Sequence, residues 1–316
     1  LLKDYTMPFG TKEFTDKMEE YVPGSRESTE KFILLCEDLN RAVNYMTEAS
    51  GHVDPKVMQK EHANFLKCAP YSVNEVLDAL KMPKAAQKIL GSYWCYIGVP
   101  LDRLSFFFYA IMVYKYLVGG AYIPKDRSHA ISVALAERVM ALGGEVYCNT
   151  RAEKILMRGG KPWAVQTSRG LLETEHVICC CSPHAVFGDM MDPADVPEAQ
   201  RRSVNAREFG MRGFVASVGL NRSPEELGLT DYSYFIYGTM DTAEEARRVG
   251  KIETNDVQAT ICLNAANPGC SPEGTTIMSF TTFYNTDVWE GVTAETYMDT
   301  KRKAAEQMFE TFARAT

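Results

Sequence analysis

Apolar residues recur every three or four positions along most of the first 119 residues, and this is the period of an amphipathic α-helix. In the stretch 28–49, for example, Phe32 and Leu39 fall on the same face of the predicted helix. The opening stretch 3–15 is predicted as a short hairpin because it contains a Pro-Phe-Gly turn signal. The apolar period predicts helices at 28–49, 55–66, 73–80, 84–95 and 104–118.

The last of these helices, 104–118, is rich in Phe, Tyr, Ile and Val. It is too short to span a bilayer and it contains Lys115. We predict that it is a buried core helix. Two alternatives stay open, a helix that lines an apolar substrate tunnel and a helix that touches a membrane surface.

Beyond Gly119 and Gly120 the pattern changes to short strands mixed with helices. A helix is predicted at 128–142, and a pair of glycines at 159–160 predicts a hairpin between two strands. The chain is therefore predicted to be an α/β protein in which the later strands form a mostly antiparallel sheet, followed by a helix from Ala294. Strands are predicted at 145–148, 152–158, 163–168, 176–181, 213–220, 232–237, 257–263 and 276–284.

Composition excludes several classes of function. The chain has 316 residues, which is long enough for one large domain or two ordinary domains. Hydrophobic residues make up 46% and charged residues 24%, a composition that is ordinary for a soluble globular protein. The net charge of -7 argues against a nucleic-acid partner. Nine cysteines without a C-x-x-C pair predict reduced thiols and a cytoplasmic setting.

Common catalytic and binding motifs do not occur in the sequence. It contains no G-x-S-x-G, no phosphate loop, no H-E-x-x-H and no G-x-G-x-x-G, and the five histidines lack metal-ligand spacing, so we predict no metal site. Asp241, Glu244 and Glu245 are interpreted as an acidic helix start that favours the helix dipole.

Five short segments carry a family resemblance. They are GAYIPK at 120–125, LGGEV at 142–146, NTRAEKI at 149–155, VICCCSPH at 177–184 and NPGCSPEGTT at 267–276. In this order they resemble motifs of the phytoene desaturase and carotenoid isomerase-like family of FAD-dependent oxidoreductases, in the amine oxidase-type flavoprotein superfamily. The chain departs from the family at Asp126 and Arg127, where the family has two glycines.

The resemblance implies FAD as the cofactor and a partial Rossmann-like FAD-binding domain of the GR2 type. It places the backbone of Ala152 at the adenine, and Cys181, Ser182 and Pro183 near the phosphates of FAD. The alternative for Ala152 is an ordinary sheet residue, and the alternative for Ser182 is a helix N-cap. Because the N-terminal dinucleotide motif and the C-terminal segment that closes over the flavin are not in this sequence, we expect an internal fragment that binds FAD weakly or not at all.

The implied domains are a helical substrate-binding region at 1–119, an FAD-binding segment at 120–190, and a substrate-domain sheet with a final helix at 191–316. The implied reaction is desaturation, saturation or isomerisation of an extended apolar polyene, similar to a carotenoid or retinoid. Three aromatic residues are predicted to line the substrate tunnel: Phe107, Tyr109 and Tyr116.

Two other functions stay open, an amine-oxidase-like flavoenzyme and a truncated scaffold that does not bind FAD. The resemblance also allows a peripheral membrane contact. It assigns no catalytic acid or base and no oligomeric state.

Overall fold

The structure is a computed structural model that describes residues 4–316 and divides into two compact units. The first unit contains residues 4–127 and 210–316, and the second contains 128–209. The helices are α1 Thr11–Tyr21, α2 Arg26–Glu48, α3 Pro55–Glu61, α4 Ala63–Cys68, α5 Val73–Ala79, α6 Lys84–Gly91, α7 Phe106–Gly119, α8 His129–Ala141, α9 Glu198–Asn205, α10 Thr242–Arg248, α11 Leu263–Ala266 and α12 Tyr297–Ala315. The strands are β1 Ala152–Arg158, β2 Lys161–Thr167, β3 Gly170–Glu173, β4 Arg212–Leu220, β5 Ser233–Ile236, β6 Gln258–Cys262 and β7 Thr276–Tyr284.

Short helical turns complete the description. They are 3₁₀ turns at Ser92–Tyr96, Pro193–Asp195, Pro268–Cys270 and Thr286–Trp289, and a π-helical turn at Ala185–Met190.

Helices α1 to α7 build the main hydrophobic core of the first unit, and the helical predictions for 28–49, 73–80, 84–95 and 104–118 are confirmed. The predicted helix 55–66 is divided at His62 into α3 and α4. Helix α5 begins with a capping box, in which Ser72 and Glu75 satisfy each other's backbone N–H groups. The predicted hairpin at 3–15 is wrong for the described residues because α1 begins at Thr11; Lys3 lies outside the described residues.

Helix α7 lies in this core, as predicted for 104–118. Its buried side chains include Phe106, Val113 and Leu117, and it ends where Gly120 adopts a positive φ of 73°. Within residues 4–316, none of the helices combines the length and the apolar character needed to cross a membrane.

The first unit also contains a four-stranded antiparallel sheet in the order β4-β7-β6-β5. Helix α12 covers one face of this sheet, where the ring of Phe280 lies 4.9 Å from Phe309 and 5.4 Å from Phe312. The four strands predicted between 213 and 284 and the final helix are confirmed. The predicted class, a mixture of helices with a mostly antiparallel sheet, is therefore the observed one.

The second unit consists of α8, the antiparallel sheet β1-β2-β3, and the segment that ends with α9. The predicted hairpin through the glycines at 159–160 is confirmed. The strands predicted at 145–148 and 176–181 are wrong, because a strand needs a neighbour for its ladder of hydrogen bonds and the described chain provides none there.

A tight contact at the start of α10 gives a first prediction. A β-carbon at Gly238 would overlap the carboxylate of Asp256, and that carboxylate is held in an ion pair with Arg248. Gly238→Ala is expected to lower the free energy of unfolding by about 1–3 kcal/mol, because the ion pair must shift. Urea denaturation measures the change.

The matched control is Gly219→Ala in β4, where a new β-carbon meets no atom within 4 Å. This control is expected to change the free energy of unfolding by less than about 0.5 kcal/mol. Equal effects of the two substitutions would contradict the structural reason given for Gly238.

Candidate functional site

Helix α12 covers one face of the sheet β4-β7-β6-β5. Among the described residues of the first unit, no helix covers the opposite face in the same way. In β7, buried residues alternate with partly exposed ones, and the buried set faces α12. The cross-strand pairs continue this division across the sheet. We call the uncovered side the open face; its residues are Gly213, Val215, Ser217, Gly219, Ser233, Phe235, Ala259, Ile261, Ile277, Ser279, Thr281 and Phe283.

The open face is uncharged, and none of its residues is buried. Apolar side chains alternate there with four hydroxyl groups, those of Ser217, Ser233, Ser279 and Thr281. Among the described residues, these hydroxyls form no hydrogen bond within the chain. Ser217 and Ser279 are direct cross-strand neighbours, so two free hydroxyls lie side by side. The surface therefore combines apolar area with hydroxyl groups that can form hydrogen bonds to a ligand.

An aromatic cluster borders the open face at β5. The ring of Phe235 lies 5.5 Å from Tyr96, which lies 5.9 Å from Tyr116. Tyr116 also contacts Tyr93 at 5.7 Å and Phe9 at 5.0 Å. Burial raises the pKa of the Tyr93 hydroxyl above its usual range, so this ring stays neutral at physiological pH. The cluster extends the apolar surface of the sheet toward α7.

The three aromatic residues predicted to line a tunnel lie in different surroundings. Tyr116 belongs to the cluster at the open face. Tyr109 is fully enclosed in the core, where its hydroxyl donates to the carbonyl oxygen of Leu90 at 2.6 Å. Phe107 packs against Phe65 at 5.1 Å on another side of the helices. The structure thus brings only Tyr116 of the three to the open face.

In the second unit, the backbone of Ala152 points away from the neighbouring strand. Ala152 is paired with Thr167, and the N–H of Ser168 donates to the carbonyl of Arg151 at 2.9 Å. In an antiparallel ladder this pattern marks Ala152 and Thr167 as a pair without mutual hydrogen bonds. Since β1 is an edge strand, the N–H and C=O of Ala152 face a free edge. One hydrogen-bond donor and one acceptor of the same residue therefore lie side by side at this edge.

Cys181 and Ser182 are exposed and Pro183 is half-buried, and the chain bends at Cys181 before the helical turn at Ala185–Met190. The hydroxyl of Ser182 accepts from the N–H of His184 at 3.3 Å, which resembles a capping contact. Within the described chain, the backbone N–H groups from 177 to 181 donate to no protein acceptor. These free donors suit an anionic or carbonyl-bearing group.

Beside α10, the carboxyl groups of Glu245 and Asp256 lie near each other, and only that of Asp256 is paired with a guanidinium group. Asp256 pairs with Arg248, while one oxygen of Glu245 and one of Asp256 are buried without a hydrogen-bond partner. Glu245 is only 1% exposed, and its other oxygen accepts from the N–H of Thr239 at 2.8 Å. Burial raises the pKa of Glu245 to about 7, and the nearby Asp256 acts in the same direction.

Sequence reasoning missed both the open face and the burial of Glu245. Each face of β7 carries both apolar and polar residues, so its sequence does not indicate which face α12 covers. The signal available in the sequence was that the residues on one face of the predicted strands are all uncharged. Asp241 does cap α10, as the acidic helix start suggested, but the burial of Glu245 depends on how α10 packs in the fold.

A family model described as FAD dependent oxidoreductase matches residues 109–271, which is half of the chain. Among curated proteins, the chain is 24% identical to the all-trans-retinol 13,14-reductase of Danio rerio over 265 residues, which are 79% of this chain and 43% of that protein. It is 23% identical to the all-trans-retinol 13,14-reductase of Homo sapiens over 261 residues, which are 78% of this chain and 42% of that protein. The chain thus spans about two fifths of the length of these relatives.

Among solved structures, an oxidoreductase from Methanosarcina mazei is similar with a TM-score of 0.51 and 13% identity, over 82% of this chain and 58% of that one. A putrescine oxidase, solved with bound putrescine, has a TM-score of 0.49 and 15% identity, over 87% of this chain and 58% of that one. The first of these likenesses supports the predicted fold class.

Proposed function

This chain belongs to the FAD dependent oxidoreductase family, and we propose that the full-length protein saturates a double bond of an apolar, retinoid-like polyene. The observation that carries this proposal is the uncharged open face with its free hydroxyls. The two curated relatives, both all-trans-retinol 13,14-reductases, support the same substrate class. Within the family, the motif segments favour the phytoene desaturase and carotenoid isomerase-like branch, so desaturation and isomerisation are the alternative outcomes.

The residues of the second unit fit the proposed cofactor FAD. The free N–H and C=O of Ala152 would hold the adenine edge, and the unpaired N–H groups that end at Cys181 would meet the phosphates or the ring. Ser182 and Pro183 would turn the chain away from the cofactor at this point. Bound FAD supplies the hydride chemistry of the reaction. We also propose that 120–190 is the FAD-binding segment, and that the helices before it and the sheet after it bind the substrate.

The residues of the first unit would bind and orient the polyene. Apolar side chains such as Val215 and Ile261 would exclude water along its length. The adjacent hydroxyls of Ser217 and Ser279 would bind a terminal hydroxyl or carbonyl group of the substrate. Tyr116 and its aromatic neighbours would hold the apolar end.

An amine oxidase is the second candidate, and one observation favours it. The rings of Tyr93, Tyr96 and Tyr116 form a cluster of the kind that binds cations through their faces. The absence of any carboxylate on the described open face counts against a cationic substrate, because a buried cation requires a counter-charge. We therefore place the polyene first.

The test is product analysis by mass spectrometry with the full-length protein and three substrate types, a polyene alcohol, its saturated analogue and a primary amine. A polyene that gains two hydrogens supports saturation. Loss of two hydrogens or an unchanged mass with a new retention time would replace saturation by desaturation or isomerisation. Turnover of the amine alone would move the second candidate ahead.

The backbone of Ala152 gives a specific prediction for cofactor binding. Ala152→Pro removes the N–H that faces the free edge, and proline is tolerated at the first residue of an edge strand. The Kd for FAD of the full-length protein is expected to rise about tenfold, as for the loss of one hydrogen bond. Flavin fluorescence titration measures the Kd.

The control for this substitution is Ala152→Val, which keeps the backbone N–H and is expected to leave the Kd within about twofold. If Ala152→Pro binds FAD as tightly as the wild type while remaining folded, Ala152 does not contact the base. For residues 1–316 alone, we propose that FAD binds weakly or not at all; stoichiometric flavin in the purified chain would contradict that.

A further inference from the structure

A short turn carries two rings of the aromatic cluster that borders the open face. This 3₁₀ turn, Ser92–Tyr96, follows α6 directly and contains Tyr93 and Tyr96. A 3₁₀ turn has few hydrogen bonds of its own, and their geometry is poorer than in an α-helix. The positions of the two rings therefore depend on contacts between the turn and other parts of the fold.

The sheet supplies one such contact through Tyr237, which follows β5. The hydroxyl of Tyr237 donates to the carbonyl oxygen of Ser92, and it lies 3.1 Å from the Sγ atom of Cys95. Because a phenol has a single hydrogen and a carbonyl oxygen can only accept, the thiol of Cys95 is the donor to Tyr237. One hydroxyl thus holds the turn at its first and fourth residues.

A second side chain from β5 contacts the same turn. The ring of Phe235 lies 5.5 Å from the ring of Tyr96. In an extended chain, side chains two positions apart point to the same side, so Phe235 and Tyr237 both reach the turn from the end of β5. Phe235 provides apolar contact with the cluster, while Tyr237 provides the hydrogen bond to the backbone of the turn.

The helical core holds the chain just before the turn. The hydroxyl of Tyr109 donates to the carbonyl oxygen of Leu90 at 2.6 Å, and both residues are fully buried. This bond lies within the helical core, whereas Tyr237 connects the turn to the sheet. Loss of the Tyr237 hydroxyl is therefore expected to loosen the turn and to leave the core folded.

We propose that Tyr237 is a positioning residue for the substrate, because its hydroxyl holds Tyr93 and Tyr96 beside Tyr116, where the apolar end of the polyene would bind. This inference rests on the proposed function. Rings that hold the apolar end contact the substrate equally before and during the reaction. Loss of their positions therefore raises KM and leaves kcat almost unchanged.

Steady-state kinetics of the full-length protein tests the effect on the substrate. Tyr237→Phe is expected to raise KM for a long polyene alcohol at least about fivefold, as for the loss of one hydrogen bond, with kcat within about twofold. A shorter polyene alcohol that does not reach the cluster is expected to keep its KM. This difference between the two alcohols would not arise from a general loss of structure.

The matched control is Tyr234→Phe in the same strand. The ring of Tyr234 packs on Phe312 of α12, and its hydroxyl accepts from the N–H of Asp231 at 3.1 Å. This substitution also removes one hydroxyl and one hydrogen bond, but on the face of the sheet that α12 covers. It is expected to keep both KM values.

Alkylation of Cys95 in the full-length protein, measured by mass spectrometry, tests the hold on the turn without substrate. Burial raises the pKa of Cys95 to about 11, so its thiol reacts slowly in the wild type. Tyr237→Phe is expected to speed this alkylation at least about fivefold, because a looser turn exposes the thiol more often. The internal reference is Cys36, which is buried in the helical core and is expected to react at an unchanged rate.

Several results would overturn the proposal. They are an unchanged alkylation rate of Cys95 in Tyr237→Phe, an unchanged KM for the long alcohol, an equal rise in KM for both alcohols, and a wild type that turns over no polyene. In the last case the proposed function fails as well, even if Cys95 is alkylated faster. Unchanged alkylation together with polyene turnover would remove the positioning role and leave the proposed function intact.

Discussion

Ser217→Asp is expected to lower kcat/KM of the full-length protein for an apolar polyene by at least about 100-fold, which corresponds to about 3 kcal/mol. Ser217 lies in the centre of the open face, where an exposed carboxylate is tolerated as long as water reaches it. A bound polyene removes that water, and burying an unpaired carboxylate costs several kcal/mol. Steady-state kinetics measures the loss, and a thermal unfolding curve establishes that the variant is folded.

Two control variants distinguish the effect of a carboxylate at position 217 from the loss of the Ser217 hydroxyl group and from a carboxylate elsewhere. Ser217→Ala removes only a hydroxyl group and is expected to lower kcat/KM by no more than about tenfold. Asn221→Asp places a carboxylate just beyond the end of β4 and is expected to leave kcat/KM unchanged. If Ser217→Asp leaves polyene turnover intact, the open face is not the substrate surface. If it raises turnover of a cationic amine, the amine oxidase candidate is favoured.

Glu245→Gln is expected to raise the free energy of unfolding at pH 8 by about 1–3 kcal/mol. The pKa of Glu245 is raised from an ordinary value of 4.5 to about 7, chiefly by burial. A shift of this size corresponds to a penalty of about 3 kcal/mol once the group is ionised in the folded state. Gln keeps the oxygen that accepts from Thr239 and carries no charge, although its amide nitrogen has no acceptor there.

The sign of the pH dependence follows from the raised pKa. Below pH 4.5, Glu245 is protonated in both the folded and the unfolded chain, so it contributes no pH dependence. Between pH 4.5 and about 7, only the unfolded chain has lost the proton, and the free energy of unfolding falls as pH rises. Burial also raises the pKa of Asp256, which acts in the same sense.

Urea denaturation across pH 4.5 to 8 measures this dependence for both proteins. Wild type is expected to lose stability over the window, and Glu245→Gln is expected to show a flatter profile. The control is Glu244→Gln on the same helix, a half-exposed residue paired with Arg247, with an expected effect below about 0.5 kcal/mol at any pH. Identical pH profiles for wild type and Glu245→Gln would contradict a buried, protonated Glu245.

Local patterns account for the parts of the fold that were predicted. In β7 the run of apolar and β-branched residues predicts a strand, and in α2 the spacing of Phe32 and Leu39 predicts one buried helix face. Both elements can be read from a single segment because each buries its own apolar side. The hairpin β1–β2 was predicted for the same reason, with its turn marked by two glycines.

The parts of the structure that the sequence did not predict depend on contacts between segments that lie far apart in the chain. The segments 145–148 and 176–181 have strand-like sequences, yet no described strand pairs with them. The direction of the Ala152 backbone follows from the register with Thr167, and the burial of Glu245 follows from the packing of α10. The open face is defined by what α12 leaves uncovered, which is a property of the whole sheet.

The central claim is tested most directly by the flavin absorbance of the purified full-length protein. The protein is reduced without oxygen and then mixed with a polyene alcohol or with its fully saturated analogue. The account predicts stoichiometric FAD, and a return of the oxidised flavin spectrum with the polyene but not with the saturated analogue. A protein without flavin, or a reduced flavin that no polyene reoxidises, would contradict it.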